Sequence, residues 1–393
     1  MSSSAFDSLR ALLGSVSADP SAGIGLHLGQ LEFYNNAPDV DPAALQHALQ
    51  RYPRLSALEE EKRAYLSSLG IAAAEMASWL AHCEPITGSR NGLFALMLQA
   101  LLESQQAGAQ PLCFLLPAPG YPAYENIARY LGASTAFYAS DATDLLPRLC
   151  DRIGQAPQRF CLILCNPLMP QSRSLSMAGI DTLLALTRSH HLQLIVDECY
   201  RDFAAPEAPR FPLERLRDPA FADAALTVLH SLSKRAGLPG LRSGFALSTP
   251  RTTQALRRYN QLAGIRSNNY FASLAADAWR TPQPGIYQQV QQNWQLVREI
   301  LARFLPADYG QEGIFLWLPV ANDECFTRQL WQSYAIKVMP GSYLSADGAS
   351  GQYVRVALNQ PAAVMRDCLT KIASLLAKTD ALNNHTDALK EHL

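Results

Sequence analysis

The sequence predicts an α/β protein: a large unit with a mostly parallel central sheet flanked by helices, and a smaller α+β unit beside it. Three observations lead there. Five short apolar runs in the middle of the chain do not alternate polar with apolar residues, which is how strands buried on both faces read. Helical patterns lie between several of them, the order expected of a parallel sheet. From Ile286 the pattern changes to one long amphipathic helix, followed by shorter strands with more local connections.

The five runs are "PLCFLLPAPGYP", "RFCLILCNP", "LQLIVDECY", "LTVLHSLSK" and "GFALS". "YENIARYLGA" and "MAGIDTLLALTRSHH" supply helices between them. "GSRNGLFALMLQALLESQQAG" is apolar nearly all round, so a buried helix is expected to start at Gly88-Ser89. Ile286, Val290, Trp294, Val297, Leu301 and Phe304 recur at three- and four-residue steps, a helix of about five turns. "GIFLWLPV", "AIKVMPGSY" and "YVRVALN" read as the later strands. The expected division is a large domain over 46–284 and a small domain built from 1–45 with 285–393. The polar ending "AKTDALNNHTDALKEHL" reads as a frayed helix or a disordered tail.

A chain of 393 residues has room for a large core in two domains. With 48% apolar and 17% charged residues it reads as globular and soluble. A net charge of -1 gives no sign of binding to nucleic acid or to an anionic membrane surface. No apolar run approaches a membrane span, and the start "MSSSAFDSLRALLGSVSADP" lacks a basic n-region and a cleavage pattern. The 8 cysteines form no framework, and Cys161, Cys165 and Cys199 read as small buried hydrophobes, so cytoplasmic residence is expected. No cysteine pair has zinc-finger spacing and His190-His191 has no partner ligands nearby, so no metal site is expected.

Ligands of open parallel sheets sit beyond the carboxyl ends of the strands, so the strand-end residues matter most. "LQLIVDECY" ends in Asp197, Glu198 and Tyr200. An acid closing an apolar strand is costly unless a cation meets it, although such an acid also serves as an ordinary cap. Lys234 closes another strand. Most loop lysines are merely solvated, but an amine partly withdrawn from water has a lowered pKa and forms Schiff bases. Ser231 precedes it by three residues and Arg242 follows by eight, across a Gly-Leu-Pro-Gly bend that turns the chain back. A hydroxyl and a guanidinium suit a phosphate. Gly88 and Ser89, opening a buried helix, offer free N–H groups to an anion or form a plain N-cap. "PAPGYPAY" presents Tyr121 and Tyr124, either of which suits the face of a flat ring. On its own pattern Arg355, in a strand read as an edge, is expected at the surface.

Together these are the parts of a pyridoxal phosphate site. The order "ITGSR", "PAPGYPAY", "CNPLMPQS", "VDECY", "SLSKRAGLPGLRSGF", "GIFLW", "VMPGSYL" and "YVRVAL" resembles the fold type I, class I/II aminotransferases. The look is nearest to the N-succinyldiaminopimelate aminotransferase group, and it extends over roughly residues 50–375. The resemblance implies pyridoxal 5′-phosphate as cofactor and Lys234 as its Schiff-base lysine and proton shuttle. It implies Asp197 on the pyridine nitrogen, Tyr200 on the ring hydroxyl and Tyr121 stacked on the ring. It further implies Ser89, Arg90, Ser231 and Arg242 around the phosphate. Arg355 would hold a substrate α-carboxylate, with Gly29 also at the substrate. Tyr52 in "RYPRL" would reach the phosphate of a neighbouring subunit, making a homodimer with shared sites. The reaction implied moves an amino group between an amino acid, of the dibasic or N-acylated kind, and a 2-oxo acid. Keeping Lys234, Asp197, Tyr200, Arg242 and Arg355 together speaks against a non-catalytic binding subunit.

The chain departs from the family's pattern in places. Where the family shows Asn-Pro-x-Asn-Pro-Thr-Gly, this chain has "NPLMPQS", and Met169 replaces the asparagine that donates to the ring hydroxyl. A thioether cannot donate. This is either drift in a working transaminase or the mark of elimination, cyclisation or oxidation of an amino acid. "LGQLEFYNN" (28–36) stands where Gly-Glu-Pro is usual, "RYPRLSALEEE" lacks the glycine after its tyrosine, and Arg235-Ala236-Gly237 replaces Arg-Ser-Asn. The departures gather on the substrate side.

Overall fold

The structure, a computed structural model, describes residues 4–15, 23–32, 38–106, 111–141, 144–155, 158–189, 192–264, 269–281, 283–346 and 348–390, with side chains to 379. Among these residues the strands are β1 (Ile24–Gly25), β2 (Cys83–Ile86), β3 (Leu112–Ala118), β4 (Ser134–Ala139), β5 (Arg159–Cys165), β6 (Leu192–Asp197), β7 (Leu226–Ser231), β8 (Gly244–Ser248), β9 (Phe315–Pro319), β10 (Ile336–Lys337), β11 (Met339–Pro340) and β12 (Tyr353–Ala357).

Seven of them form the main sheet in the order β2-β8-β7-β6-β5-β3-β4. β8 runs antiparallel to both neighbours, and every other pairing is parallel. The five apolar runs are β3, β5, β6, β7 and β8. Their lack of alternation has a direct cause. In β5, Phe160, Leu162 and Leu164 enter one apolar cluster, while Cys161 and Ile163 enter another on the opposite face. A two-residue period between two cores needs apolar residues at both parities. The helix Ser89–Gln106 begins where the sequence predicted and buries Leu93, Leu96, Met97 and Ala100 against the second cluster.

The smaller part holds the antiparallel sheet β11-β12-β9, and β1 pairs in parallel with β10. The run "AIKVMPGSY" is therefore two strands, broken at Val338, that serve two sheets. β12 is the middle strand of its sheet, which corrects the expectation of an edge: Arg355 is buried. The helix Pro284–Leu301 buries Ile286, Val290, Trp294, Val297 and Leu301, as their spacing requires, and Phe304 follows in a short 3-10 turn. The last helix, Ala362–Lys390, continues into the polar ending as far as the described residues go. His190-His191 and residues 33–36 lie outside the described residues.

The loop after β5 is stitched to the smaller part. Ser172 Oγ donates to the Phe315 carbonyl at 2.7 Å, and the Ser172 carbonyl accepts from Glu312 N–H at 2.7 Å. Arg173 meets Asp308 at 3.1 Å. A Cβ on Gly310 would stand 2.2 Å from the Gln171 carbonyl oxygen, so glycine is what permits this approach.

Candidate active site

The parallel strands end on one side of the main sheet, and the residues that follow them surround a cavity of about 470 Å³. Gly29, Gly88, Ser89, Arg90, Tyr121, Tyr124, Asp197, Tyr200, Ser231, Lys234, Arg242 and Arg355 line it, while Glu198 and Met169 do not, nor does Tyr52, which is 95% exposed.

Asp197 closes β6 and is 1% exposed. It accepts from Tyr124 Oη at 3.1 Å and from the Cys199 N–H at 3.3 Å. Burial raises its pKa above the usual carboxylate range, and these hydrogen bonds hold the rise back. Among the described residues no cation forms a salt bridge with it. Its neighbour Glu198 has the opposite fate. It meets His230 Nε2 at 3.1 Å and Arg201 at 3.3 Å, and accepts from the Phe211 N–H at 2.9 Å. Burial disfavours its charge too, but the bonds to His230 and Arg201 outweigh burial, and its pKa falls.

Lys234 sits in the short helical turn after β7, and its Nζ donates to the Gly29 carbonyl. Burial draws its pKa down to about 8, the Cys199 thiol opposes this, and the charge of Arg355 adds to it. A Cβ on Gly29 would lie 3.0 Å from Nζ and 3.1 Å from Phe315 Cζ, so a bare backbone there gives the lysine its room.

The bend does return Arg242 to the site, at the cost of a left-handed φ of 53° on a residue with a side chain. Its guanidinium donates to Thr87 O at 2.6 Å and to Pro239 O at 3.0 Å, strapping it to the start of the Ser89–Gln106 helix. Ser231 caps the Lys234 turn by accepting from the Ser233 N–H at 3.2 Å. Ser233 also lines the cavity and joins the hydroxyls expected there.

Tyr121 and Tyr124 were interchangeable in the sequence, and the structure separates them. Their three-residue spacing puts both on one side of the Pro122–Tyr130 helix start, with rings edge to face at 5.5 Å. Tyr124 is 2% exposed and holds Asp197. Tyr121 instead accepts from Arg90, whose Nε lies at 3.2 Å and whose Nη2 also donates. Arg90 thus turns its side chain to a phenol.

Arg355 is 3% exposed. Nη2 donates to His27 O at 2.7 Å, Nη1 to Met169 Sδ at 3.3 Å, and Nε has no partner. The guanidinium carbon lies 4.3 Å from the centre of the Phe315 ring, against which Tyr200 packs edge-on at 5.4 Å. Burial lowers the Arg355 pKa to about 10. The Met169 contact was not foreseen: a residue noted for failing to donate is an acceptor for Arg355.

A family model, Aminotransferase class I and II, matches residues 86–372. The chain belongs to this family of pyridoxal phosphate-dependent enzymes, which move an amino group between an amino acid and a 2-oxo acid. It is 25% identical over 290 residues to the L-aspartate:5-guanidino-3-methyl-2-oxopentanoate transaminase of Pseudomonas syringae pv. syringae, covering 72% of this chain and 71% of that protein. It matches the structure of aminotransferase AspB from Helicobacter pylori with a TM-score of 0.81 and 26% identity, over 96% of this chain and 99% of that one. A probable N-succinyldiaminopimelate aminotransferase from Thermus thermophilus shares the fold, with a TM-score of 0.73 and 22% identity over 95% of this chain and 100% of that one. No described helix is long and apolar enough to cross a membrane.

Proposed function

We propose that the cavity is the site of transamination and that Lys234 carries the cofactor and moves the proton. The observation that supports this best is a pair of unmatched buried charges on one cavity. Asp197 lies there without a cation partner and Arg355 without a carboxylate partner among the described residues. Such charges are costly until a ligand completes them.

The residues present fit pyridoxal phosphate. A ring nitrogen that carries a proton suits Asp197, fixed by Tyr124. A phosphate suits Arg242, Ser231, Ser233 and the opening amides of the helix at Ser89. The ring face suits Tyr121, and its hydroxyl suits Tyr200. The amine of Lys234, partly neutral near its pKa of about 8, suits a carbon–nitrogen linkage. When bound, the cofactor supplies the electron sink for the bond broken at the substrate Cα. Arg355 grips the α-carboxylate, with its unpartnered Nε as one prong of the fork. With the cofactor held in this way, Lys234 would be the base that takes the Cα proton and the acid that gives it back.

Transamination is favoured over elimination, cyclisation or oxidation because most of the relatives matched are aminotransferases, although a threonine-phosphate decarboxylase of Salmonella typhimurium is among them. The reading includes a cytoplasmic homodimer in which residues 46–284 carry the cofactor and 1–45 with 285–393 close over the substrate. Tyr52 at 95%, Leu49 at 67% and Leu55 at 65% exposure make an apolar strip that a second copy would cover, bringing Tyr52 to the partner's phosphate. Sedimentation as a monomer at micromolar concentration would remove that part alone.

The test of the site is spectral. The purified protein should show the near-visible band of lysine-linked cofactor and convert to the pyridoxamine form when an amino donor is added, releasing a 2-oxo acid. Lys234→Ala should lose the band. A wild type without cofactor, or an unchanged band in Lys234→Ala, refutes the reading.

A further inference from the structure

A second cavity, of about 420 Å³, shares no lining residue with the one described above. Its size is that of a small-molecule site, roughly 300–1,000 Å³. The two cavities open on one face of the small sheet. Arg355 and Trp317 are cross-strand partners in β12 and β9, so their side chains leave the sheet on the same side. Phe315 and Tyr353, two residues along each strand, leave it with them. Phe315 and Arg355 line the first cavity, Trp317 and Tyr353 the second.

Another wall of the second cavity is the turn after β5. Leu168 N–H donates to the Arg173 carbonyl at 2.8 Å and Ser172 N–H to the Leu168 carbonyl at 2.7 Å, which closes the turn into one unit. That unit sends Met169 to Arg355 and Gln171 to the second cavity, with Ser174 directly after it.

Three polar side-chain atoms in these walls are buried without a hydrogen-bond partner among the described residues: Gln171 Oε1, Ser174 Oγ and Trp317 Nε1. The Gln171 amide is fixed in its orientation. Ser140 Oγ gives its proton to the Pro119 carbonyl at 2.5 Å, so towards Gln171 it only accepts, and it takes the Nε2 hydrogen at 3.0 Å. Oε1 is left as an unpaired acceptor on a side chain 8% exposed. Trp317 Nε1 only donates, and the Ser174 hydroxyl does either. Buried polar groups are nearly always paired, so three unpaired ones around one cavity point to a ligand.

The same walls state its chemistry. Trp317 and Tyr353 stack with ring centres 5.0 Å apart and planes 4° apart, and Leu145, Leu168 and Leu175 add apolar surface. The charges at the mouth need no ion: Arg173 pairs with Asp308 at 3.1 Å, and Asp141 is exposed to water. A carboxamide offers N–H and C=O side by side and so meets an acceptor and a donor at once. Because the three atoms are closed to water, a ligand that reaches them presses the turn aside, and the turn carries Met169.

We propose that this cavity is an effector site for a small neutral molecule with a carboxamide on an apolar or aromatic body. Its occupancy shifts the turn, alters the contact of Met169 with Arg355 and so changes the affinity for the substrate carboxylate. The cavity itself is independent of the site reading above, and its effect on substrate rests on that reading.

The experiment uses holoenzyme with benzamide and N,N-dimethylbenzamide, which keeps the ring and carbonyl but has no N–H. Binding is followed by calorimetry in wild type, Trp317→Phe, which keeps a ring but no donor, and Ser174→Ala. Wild type should bind benzamide at least about fivefold more tightly than the dimethyl compound, and each variant should weaken benzamide about three- to tenfold. Ser174→Ala should melt within about 3 °C of wild type and carries the test if Trp317→Phe folds poorly. Saturating benzamide should change the affinity for butyrate, a carboxylate probe of Arg355, at least about twofold, and butyrate should change that for benzamide by the same factor. Equal affinity for the two amides, or no loss in a folded variant, would leave a water-filled cleft and overturn the site. Complete mutual exclusion with butyrate would place benzamide in the first cavity and overturn it too. An unchanged butyrate affinity would overturn the effector role. None of these results touches the spectral test of Lys234, so failure of the effector site and failure of the transamination site are distinguishable.

Discussion

Arg355→Met separates function from structure because the two should move in opposite directions. The guanidinium has left water for a carbonyl, a thioether and a ring face. Burying a charge costs several kcal/mol even after relaxation. The carbonyl bond returns about 1.5–3 kcal/mol, and the ring face about 1–2 kcal/mol. The unliganded protein is left with a net cost on the order of a few kcal/mol. Methionine removes that cost and packs beside Met169 in the apolar cluster of the smaller part. It orphans the His27 carbonyl, at about 1–3 kcal/mol. The apo variant should therefore melt at the wild-type temperature or above it in scanning calorimetry. Its kcat/KM should fall, since truncating one side of a buried charge pair costs about 2–5 kcal/mol, roughly 30-fold to several thousand-fold. A Tm lowered by more than about 5 °C in step with the activity would show a structural arginine and refute the reasoning. So would a kcat/KM within threefold of wild type.

Two pH predictions follow from buried titratable groups. Lys234 releases its proton near pH 8 when folded but near 10.5 when unfolded, so in that window the unfolded chain holds the extra proton and apo stability rises with pH. The Tm of apo Lys234→Met should lack this rise between pH 8 and 10.5, and matching profiles in the two proteins would sink the argument. Glu61 is 3% exposed and bonded to Ser243 Oγ at 2.5 Å, and burial raises its pKa to about 7. Between its usual 4.5 and about 7 the folded form holds the extra proton, so stability falls as pH rises. Glu61→Gln should raise the unfolding free energy read from urea melts at pH 8 by on the order of 3 kcal/mol and leave it unchanged below pH 4, and equal shifts at both pH values would count against it.

The main sheet was legible because strands buried on both faces declare themselves by unbroken apolar runs. β2 and β4 were not. β2 carries Glu84, made tolerable by Lys62 at 3.3 Å and Arg257 at 2.8 Å, and these partners lie far off in the chain. β4 is an edge strand and largely exposed, so its pattern is weak. At the site, the residues that end strands were readable because topology brings strand ends together. What could not be read was which way a side chain turns. Asp197 and Glu198 are adjacent acids, and the pairing of Glu198 with nearby Arg201 and with His230 from another strand leaves only Asp197 without a cation among the described residues. The burial of Arg355 depended on β12 lying in the middle of its sheet, a matter of pairing order that local sequence does not carry.

The stitching at Ser172 has a mechanical consequence. It binds the loop after β5 to residues 308–315 through backbone bonds and a glycine contact too tight to slide. Any shift of the smaller part against the main sheet would have to strain this line of contacts, as a door strains its hinge post. Arg355 is tied to that post through Met169, which fixes its aim. The rim formed by Phe6, Leu28 and Gly29 is held differently, through the Gly29 carbonyl that accepts from Lys234 Nζ across the cavity. Arg355 is thus built on the stitched line, and the rim opposite it is held by a single bond to the lysine.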